Sequence, residues 1–252
     1  MRIEVLGCYG GESPQCHLTG LLVEGATALD AGCLSKTLTL ERQLEVRSVV
    51  LTHSHMDHTA TLPFLVDNIF SRGDGLDVHG SEATIHSVRR HLFNSATWPD
   101  FSRLPNHLVP AIRFHVFETE VPFRIGSVTF TPIEVNHVVP THGFLVEQGN
   151  AALLWSSDTG PTERLWEIAN RTPHLKAICI DVSFDNARQQ VADDSGHLSP
   201  RSLELELEKL QRDVPVLIHH MKPACIESIR REVAATGHRS VGFLEQDRVY
   251  DL

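Results

Sequence analysis

Short apolar runs broken by turn residues occupy the first half of the chain. Ile3 to Gly7 forms one candidate strand, and Gly20 to Val23 and Thr27 to Ala31 pair as a hairpin across Glu24-Gly25-Ala26. Ser48 to Thr52 is a continuous run rich in β-branched residues, the pattern of a strand buried on both faces. Helical stretches follow from about Thr61 to Phe70 and from Ser81 to Phe93, the second with Ser81 as N-cap. Pro99, Pro105 and Pro110 mark Asn94 to His115 as a loop or cap over one edge. Strands resume at Ile112 to Glu118, Val128 to Val135, Phe144 to Glu147 and Ala151 to Trp155, the last two flanking the turn signal Gln148-Gly149-Asn150. The remainder alternates: helix Pro161 to Asn170, strand Lys176 to Ile180, helix Ser199 to Gln211 with Pro200 at its first position, strand Val214 to Ile218, helix Ala224 to Ala235.

Antiparallel strands in each half, trailing into helices, predict an α/β (α+β) domain in which two sheets pack face to face with helices outside, a four-layer αββα sandwich. No linker, low-complexity tract or short-period repeat divides the chain, so residues 1–252 are expected to form a single domain. Hydrophobic residues make up 41% and charged residues 21%, which excludes disorder and collagen-like order. The net charge of −10 lowers the expectation for duplex or tRNA binding, yet does not disfavour a small anion held by metal ions. The five cysteines are odd in number and lack Cys-x-x-Cys spacing. The opening residues lack a charged n-region and a long apolar h-region, and no apolar run approaches the ~18 residues that span a bilayer. Together these predict a cytoplasmic protein with buried, reduced thiols and no membrane partner.

Sixteen histidines are many for this length, and their positions carry the chemistry. His53-Ser54-His55-Met56-Asp57-His58 follows directly on the buried strand ending at Thr52. On extended backbone, residues i and i+2 point the same way, so His53 and His55 can clasp one ion, while Asp57 and His58, where the chain turns into a helix, face a second. Imidazole and carboxylate are the donors that zinc and similar metals prefer.

His-x-His-x-Asp-His resembles the signature of the metallo-β-lactamase superfamily, and elements similar to its later motifs occur in order. Asp30, in Leu29-Asp30-Ala31-Gly32, resembles the family's early Asp-x-Gly element, which implies a carboxylate orienting a ligand from behind. His137 resembles the third-motif histidine, with His142 as rival; Asp158, in Ser157-Asp158-Thr159-Gly160, resembles the carboxylate that bridges two metals. His220, before Met221-Lys222-Pro223, resembles the final ligand, with His219 second. The resemblance therefore implies two divalent ions, zinc first with manganese or iron as alternatives. One is held by His53, His55, His137 and Asp158, the other by Asp57, His58, His220 and Asp158. It also implies a hydrolase of the metallo-β-lactamase fold.

Three features point to phosphodiesters, the first being the full ligand complement for two metals, which suits in-line displacement at phosphorus. Gly196-His197-Leu198-Ser199-Pro200 is similar to the extra histidine element of class II cyclic-nucleotide phosphodiesterases and tRNA 3′-processing endonucleases. Expelling a ribose alkoxide is difficult, and a poised imidazolium, here His197, can protonate it. Leu6-Gly7-Cys8-Tyr9-Gly10-Gly11 resembles the glycine-rich opening turn beside the site. The resemblance to the tRNA enzymes implies a long basic arm between the third motif and the bridging Asp. In this chain His137 and Asp158 are only 21 positions apart, with a simple hairpin between them. The expected reaction is thus hydrolysis of a small-molecule phosphodiester, a 3′,5′-cyclic nucleotide opened to the 5′ monophosphate. A hydroxide between the ions attacks, Asp57 orients it, and His197 acts as general acid. In departure from the class II pattern, Met56 stands where Leu is usual, and Thr59-Ala60-Thr61 follows the core motif. The alternatives are a tRNA-processing-type nuclease, an arylsulfatase-like, lactone or thioester hydrolase on the same scaffold, or a non-enzymatic nucleotide sensor. Homodimerisation is left open.

Overall fold

The computed structural model describes residues 1–106 and 108–252. Strands β1 (Arg2–Gly7), β2 (Gly20–Val23), β3 (Thr27–Leu29), β4 (Ser48–Val50) and β5 (Leu76–Gly80) belong to the first sheet. A small ribbon of β6 (Pro105–Asn106) and β7 (Val109–Pro110) precedes the first sheet's edge strand, β8 (Ile112–Val116). The second sheet holds β9 (Phe123–Ile125), β10 (Val128–Val135), β11 (Thr141–Gln148), β12 (Ala151–Trp155), β13 (Leu175–Asp181), β14 (Val216–His219) and β15 (Val241–Phe243). The last strand, β16 (Val249–Asp251), crosses back to pair with β1. The sheet orders are 16-1-2-3-4-5-8 and 15-14-13-12-11-10-9.

Three apolar clusters define the layers. One, with Val5, Leu29, Val50, Phe130, Phe144 and Trp155, fills the space between the sheets. The second packs the first sheet against helices α1 (Leu34–Thr37), α4 (Leu62–Ile69) and α5 (Glu82–His91), with α2 (Leu40–Glu45) and α3 (Met56–Thr59) lying between α1 and α4 in sequence. The third packs the second sheet against α6 (Arg164–Arg171), α8 (Pro200–Leu207) and α9 (Ile226–Thr236), with α7 (Gln189–Ser195) preceding α8. This is the expected αββα sandwich. The helix signals explain their placement: Ser81 accepts from the Thr84 amide at the start of α5, and Ser199 with Ser202 forms a reciprocal cap ahead of Pro200 at the start of α8.

Several boundaries differ from the sequence reading. The helix expected from Pro161 starts at Arg164, because the Gly160 and Thr162 amides are taken by the Asn136 carbonyl and the Glu206 carboxylate. The helix expected to reach Gln211 ends at Leu207, where bonds from Lys209 to Glu206 and Leu210 to Leu207 tighten the turn. Elements α1, α2, α7, β5, β9, β15 and β16 were not anticipated; most are too short to carry a periodic signal of their own. Phe93 and Phe101, in or beside the proline-rich stretch, are buried in the helix–sheet core, and Trp98 packs on Phe64. No helix among the described residues is long and apolar enough to cross a membrane, and all five cysteines are free and buried.

Parallel pairing sets where chemistry can happen. β3 and β4 run parallel, as do β12, β13 and β14, so their carboxyl ends emerge on a common edge of each sheet. Asp30 follows β3, His53 follows β4, Asp158 follows β12, Asp181 ends β13 and His220 follows β14.

Candidate metal centre

Two groups of side chains converge at this edge. His53, His55, His137 and Asp158 form one, and Asp57, His58, His220 and Asp158 the other, each with its donor atoms mutually within 4.8 Å. Asp158 belongs to both. Its Oδ2 lies 3.6 Å from His53 Nε2 and 3.9 Å from His137 Nε2. Its Oδ1 lies 3.2 Å from His58 Nε2 and 3.3 Å from His220 Nε2. His137 Nε2 sits 3.3 Å from His55 Nδ1, and His220 Nε2 3.3 Å from Asp57 Oδ2. A tetrahedral ion with arms of ~2.1 Å separates its ligands by about 3.4 Å, which is the spacing found here.

The imidazole tautomers follow from what lies behind each ring. Thr52 Oγ1 donates to Asp30 and accepts from His53 Nδ1 at 3.0 Å. His58 Nδ1 donates to Asp30 Oδ2 at 2.7 Å, His137 Nδ1 to the Gly196 carbonyl at 2.9 Å, and His220 Nδ1 to Ser183 Oγ at 2.9 Å. Each of these rings therefore turns an Nε2 lone pair inward, while His55 offers Nδ1. His53 Nε2 and Asp158 Oδ1 are buried and make no hydrogen bond of proper geometry. Buried lone pairs facing one another and a carboxylate repel unless a cation lies among them. The donor set thus fits a pair of divalent ions.

Electrostatics agree. Burial, reinforced by His58, holds the His53 pKa well below the ordinary histidine range, and burial likewise lowers those of His55 and His137. His58 is the exception: burial opposes its charge, but Asp158 and Asp30 outweigh it and raise its pKa well above the usual value. Asp57 is also opposed by burial, yet His220 and His58 hold its carboxyl lowered. Asp158, fully buried, is likewise driven down by His220, His58 and His53.

Backbone strain concentrates here. Asp30, Ser157 and His220 have φ of 62°, 56° and 64°, the left-handed region that costs a non-glycine residue about 1 kcal/mol or more. The glycine-rich turn after β1 has a specific use: a Cβ on Gly10 would lie 2.6 Å from the His220 ring.

The structure separates the rival histidines. His142 stands within β11 and bonds Thr119 at 2.8 Å, outside both donor groups. His219, the last residue of β14, turns between the sheets, stacks on Trp155 with centroids 4.0 Å apart, and has its pKa pushed down to about 3, chiefly by burial. Asp158 caps no helix, since α6 begins at Arg164 behind Glu163.

His197 stands outside both four-residue sets and forms a third, smaller group with Asp181 and His220. Its ring centroid is 5.0 Å from that of His137 and 5.4 Å from that of His220. Its Nδ1 donates to Asp181 Oδ2 at 2.6 Å, and among the described residues its Nε2 has no hydrogen-bond partner. Burial lowers its pKa, but the Asp181 carboxylate more than compensates, and the net shift is upward. Asp181 and Ser183 were missed in the sequence. Ser183 Oγ donates to Asp181 Oδ1 at 2.6 Å and contacts His197 and His220, so the pair positions both rings. The available signal was Ile178-Cys179-Ile180-Asp181, an apolar strand ending in a carboxylate, as at Leu29-Asp30.

The model of the beta-lactamase superfamily domain matches residues 31–220. The chain belongs to the metallo-β-lactamase superfamily. Membership implies metal-dependent hydrolysis, which the donor set described above fits. It is 23% identical over 171 residues to the probable metallo-hydrolase YhfI of Bacillus subtilis, a match covering 63% of this chain and 64% of that protein. It is 24% identical over 92 residues to a 3′,5′-cyclic-nucleotide phosphodiesterase of Candida albicans, covering 36% of this chain and 20% of the relative. A 24% identical match over 57% of this chain covers 17% of endoribonuclease ysh-1 of Neurospora crassa. In these sequence matches the chain spans less than two thirds of each relative's length. Crystal structures of YhfI (TM-score 0.78, 18% identity, 99% and 98% of the two chains covered) and of yeast PDE1 (0.79, 17%, 100% and 99%) share the superfamily fold. So does human tRNase Z, short form (0.70, 16%, 100% and 99%).

Proposed function

We propose that this metallo-β-lactamase superfamily member is a two-metal phosphodiesterase. Its proposed substrate is a small nucleotide phosphodiester, first of all a 3′,5′-cyclic nucleotide hydrolysed to the 5′ monophosphate. The observation that carries the reading is His197, held through Nδ1 by buried Asp181 with Nε2 left free beside the double donor set. An ester or thioester with a good leaving group has little use for such an acid, whereas a ribose alkoxide needs one.

Divalent ions, when bound, acidify water and polarise a phosphoryl oxygen. Zinc is the first candidate, and a donor set of imidazoles and carboxylates without thiolate also accepts manganese or iron. Asp158 keeps the two donor sets in register. Asp57, the most exposed carboxylate of the site, with its side chain 22% open, orients the attacking water. His197, protonated and steadied by Asp181, delivers its Nε2 proton to the departing 3′ oxygen. The fold likeness to yeast PDE1 and the sequence likeness to the Candida albicans enzyme support the substrate class. Likeness to tRNase Z supports the nuclease alternative. Against that alternative, the β10–β11 connection spans only residues 136–140 and β11–β12 only 149–150, leaving no room for a tRNA-gripping arm between His137 and Asp158.

The test is metal-replete turnover of cyclic AMP beside bis-p-nitrophenyl phosphate and an acyl thioester. The expected result is formation of 5′-AMP, lost in His197→Ala with metal retained. Cleavage of the thioester alone would overturn the reading.

A further inference from the structure

An open trough of about 1570 Å³ runs away from the metal centre, along α5 and the stretch that follows it. None of the donor residues lines it, but it adjoins them in sequence at two places. Ser54, between His53 and His55, lines it, and so do Val139 and Pro140, in the connection that carries His137. Its volume exceeds the ~300–1,000 Å³ usual for one small ligand. Exposed Val116 contributes apolar surface, and Arg89, Arg90 and Arg103 bring positive charge opposite the carboxylates of Glu82, Asp100 and Glu118. Arg103 is paired with Asp100 at 3.2 Å, whereas among the described residues no carboxylate pairs with Arg89 or Arg90. Arg89 lies 5.8 Å over the Phe114 ring, and both arginines are exposed in the last turn of α5. Cations there complement the helix dipole, but that role requires no trough and no path to a hydrolytic centre.

We propose that Arg89 and Arg90 form an anion subsite for a second phosphate, and that the trough admits a phosphodiester of dinucleotide size whose scissile phosphate lies at the metal centre. This rests on the phosphodiesterase reading and extends it. A guanidinium pair binds a phosphate dianion through charge-assisted, bidentate contacts, and the apolar surface beside it suits a nucleobase.

The probes are adenylyl-adenosine with and without a 5′-phosphate, each made with a slowly cleaved phosphorothioate linkage for calorimetry and with a normal linkage for kinetics, on metal-loaded protein. The 5′-phosphate is expected to tighten binding about tenfold. Arg89→Ala/Arg90→Ala should abolish that gain, and Arg89→Lys/Arg90→Lys should restore part of it, while turnover of bis-p-nitrophenyl phosphate stays unchanged. Equal affinity for the two dinucleotides overturns the subsite, as does a double variant that loses bis-p-nitrophenyl phosphate turnover equally. Tightening that continues from two to ten nucleotides overturns the dinucleotide limit in favour of a long strand. Arginine-dependent binding without turnover of any diester upholds the subsite and refutes the phosphodiesterase reading.

Discussion

Replacing Asp181 by Asn tests the role of the acid. Asp181 is fully buried, belongs to neither four-residue donor set, and accepts the Nδ1 proton of His197 at 2.6 Å. A hydrogen bond between charged partners contributes about 1.5–3 kcal/mol, so losing its charge should slow any step that needs His197 protonated by about thirtyfold. The effect should depend on the leaving group. Cyclic AMP must expel an alkoxide and should show the full loss, whereas bis-p-nitrophenyl phosphate expels a stable phenolate and should lose little. The pH profile adds a second readout. Burial lowers the His197 pKa and Asp181 raises it beyond the ordinary value, so the acid form persists above that value. Asn removes the raising charge, and the alkaline limb of the cyclic AMP profile should move to lower pH. Because Ser183 links Asp181 to the His220 ring, metal content is measured on the same preparation and rates are compared at equal loading. Equal losses on both substrates, or an unmoved alkaline limb, would refute a proton-donating dyad and leave Asp181 a purely structural role.

Other outcomes follow from the same geometry. Asp30→Asn weakens the anchor behind His58 and should reduce metal affinity about 10–100-fold in a chelator competition, with the fold intact by circular dichroism. Gly10→Ala places a methyl group 2.6 Å from the His220 ring and should lower turnover about 100-fold by displacing that ligand; unaltered kinetics would show that the turn can yield. Outside both donor sets, His79 lies between His115 and Phe123 with its pKa lowered to about 4, first by burial and then by His115. Because the unfolded chain takes up a proton that folded His79 resists, stability is full above the ordinary histidine value and declines as pH falls toward 4. For this partly open ring the decline should be about 1–2 kcal/mol. Urea titrations of His79→Gln should show it flattened.

The legible part of the site was the part that is local in sequence. His53 to His58 declares itself because strand alternation and the following turn place four donors within six residues. Choosing between His219 and His220 required the direction of one side chain. The first completes β14 and points between the sheets; the second takes φ of 64° and turns out to the edge. His142 was excluded the same way, by its register opposite Glu134 in the β10–β11 pair. Asp181 was illegible because its meaning is tertiary: a lone carboxylate at a strand end acquires a role only when β13 brings it to a histidine 16 positions later. The sheets were readable from their apolar runs. Strands of three residues such as β15 and β16 were not, since neighbours in space rather than their own pattern make them strands.

The centre also sits on the seam of the sandwich, which makes metal removal a test of architecture. His53, His55, Asp57 and His58 follow a strand of the first sheet, whereas His137, Asp158 and His220 follow strands of the second. Ions bound there would tie the two sheets together, since buried lone pairs of both sheets face each other around Asp158. A ligand present at about 1,000 times its Kd stabilises the native state by ~4 kcal/mol. In a chain of this size each kcal/mol is worth roughly 2–4 °C, so chelation should lower Tm by about 8–16 °C, reversibly on adding metal back. His53→Ala, with its donor group already broken, should show a smaller shift on chelation than the intact protein. A chelated protein whose metal is shown to be gone and whose Tm has not moved would mean that the donors are preorganised by the sheets alone, and that the ions serve the chemistry without holding the fold.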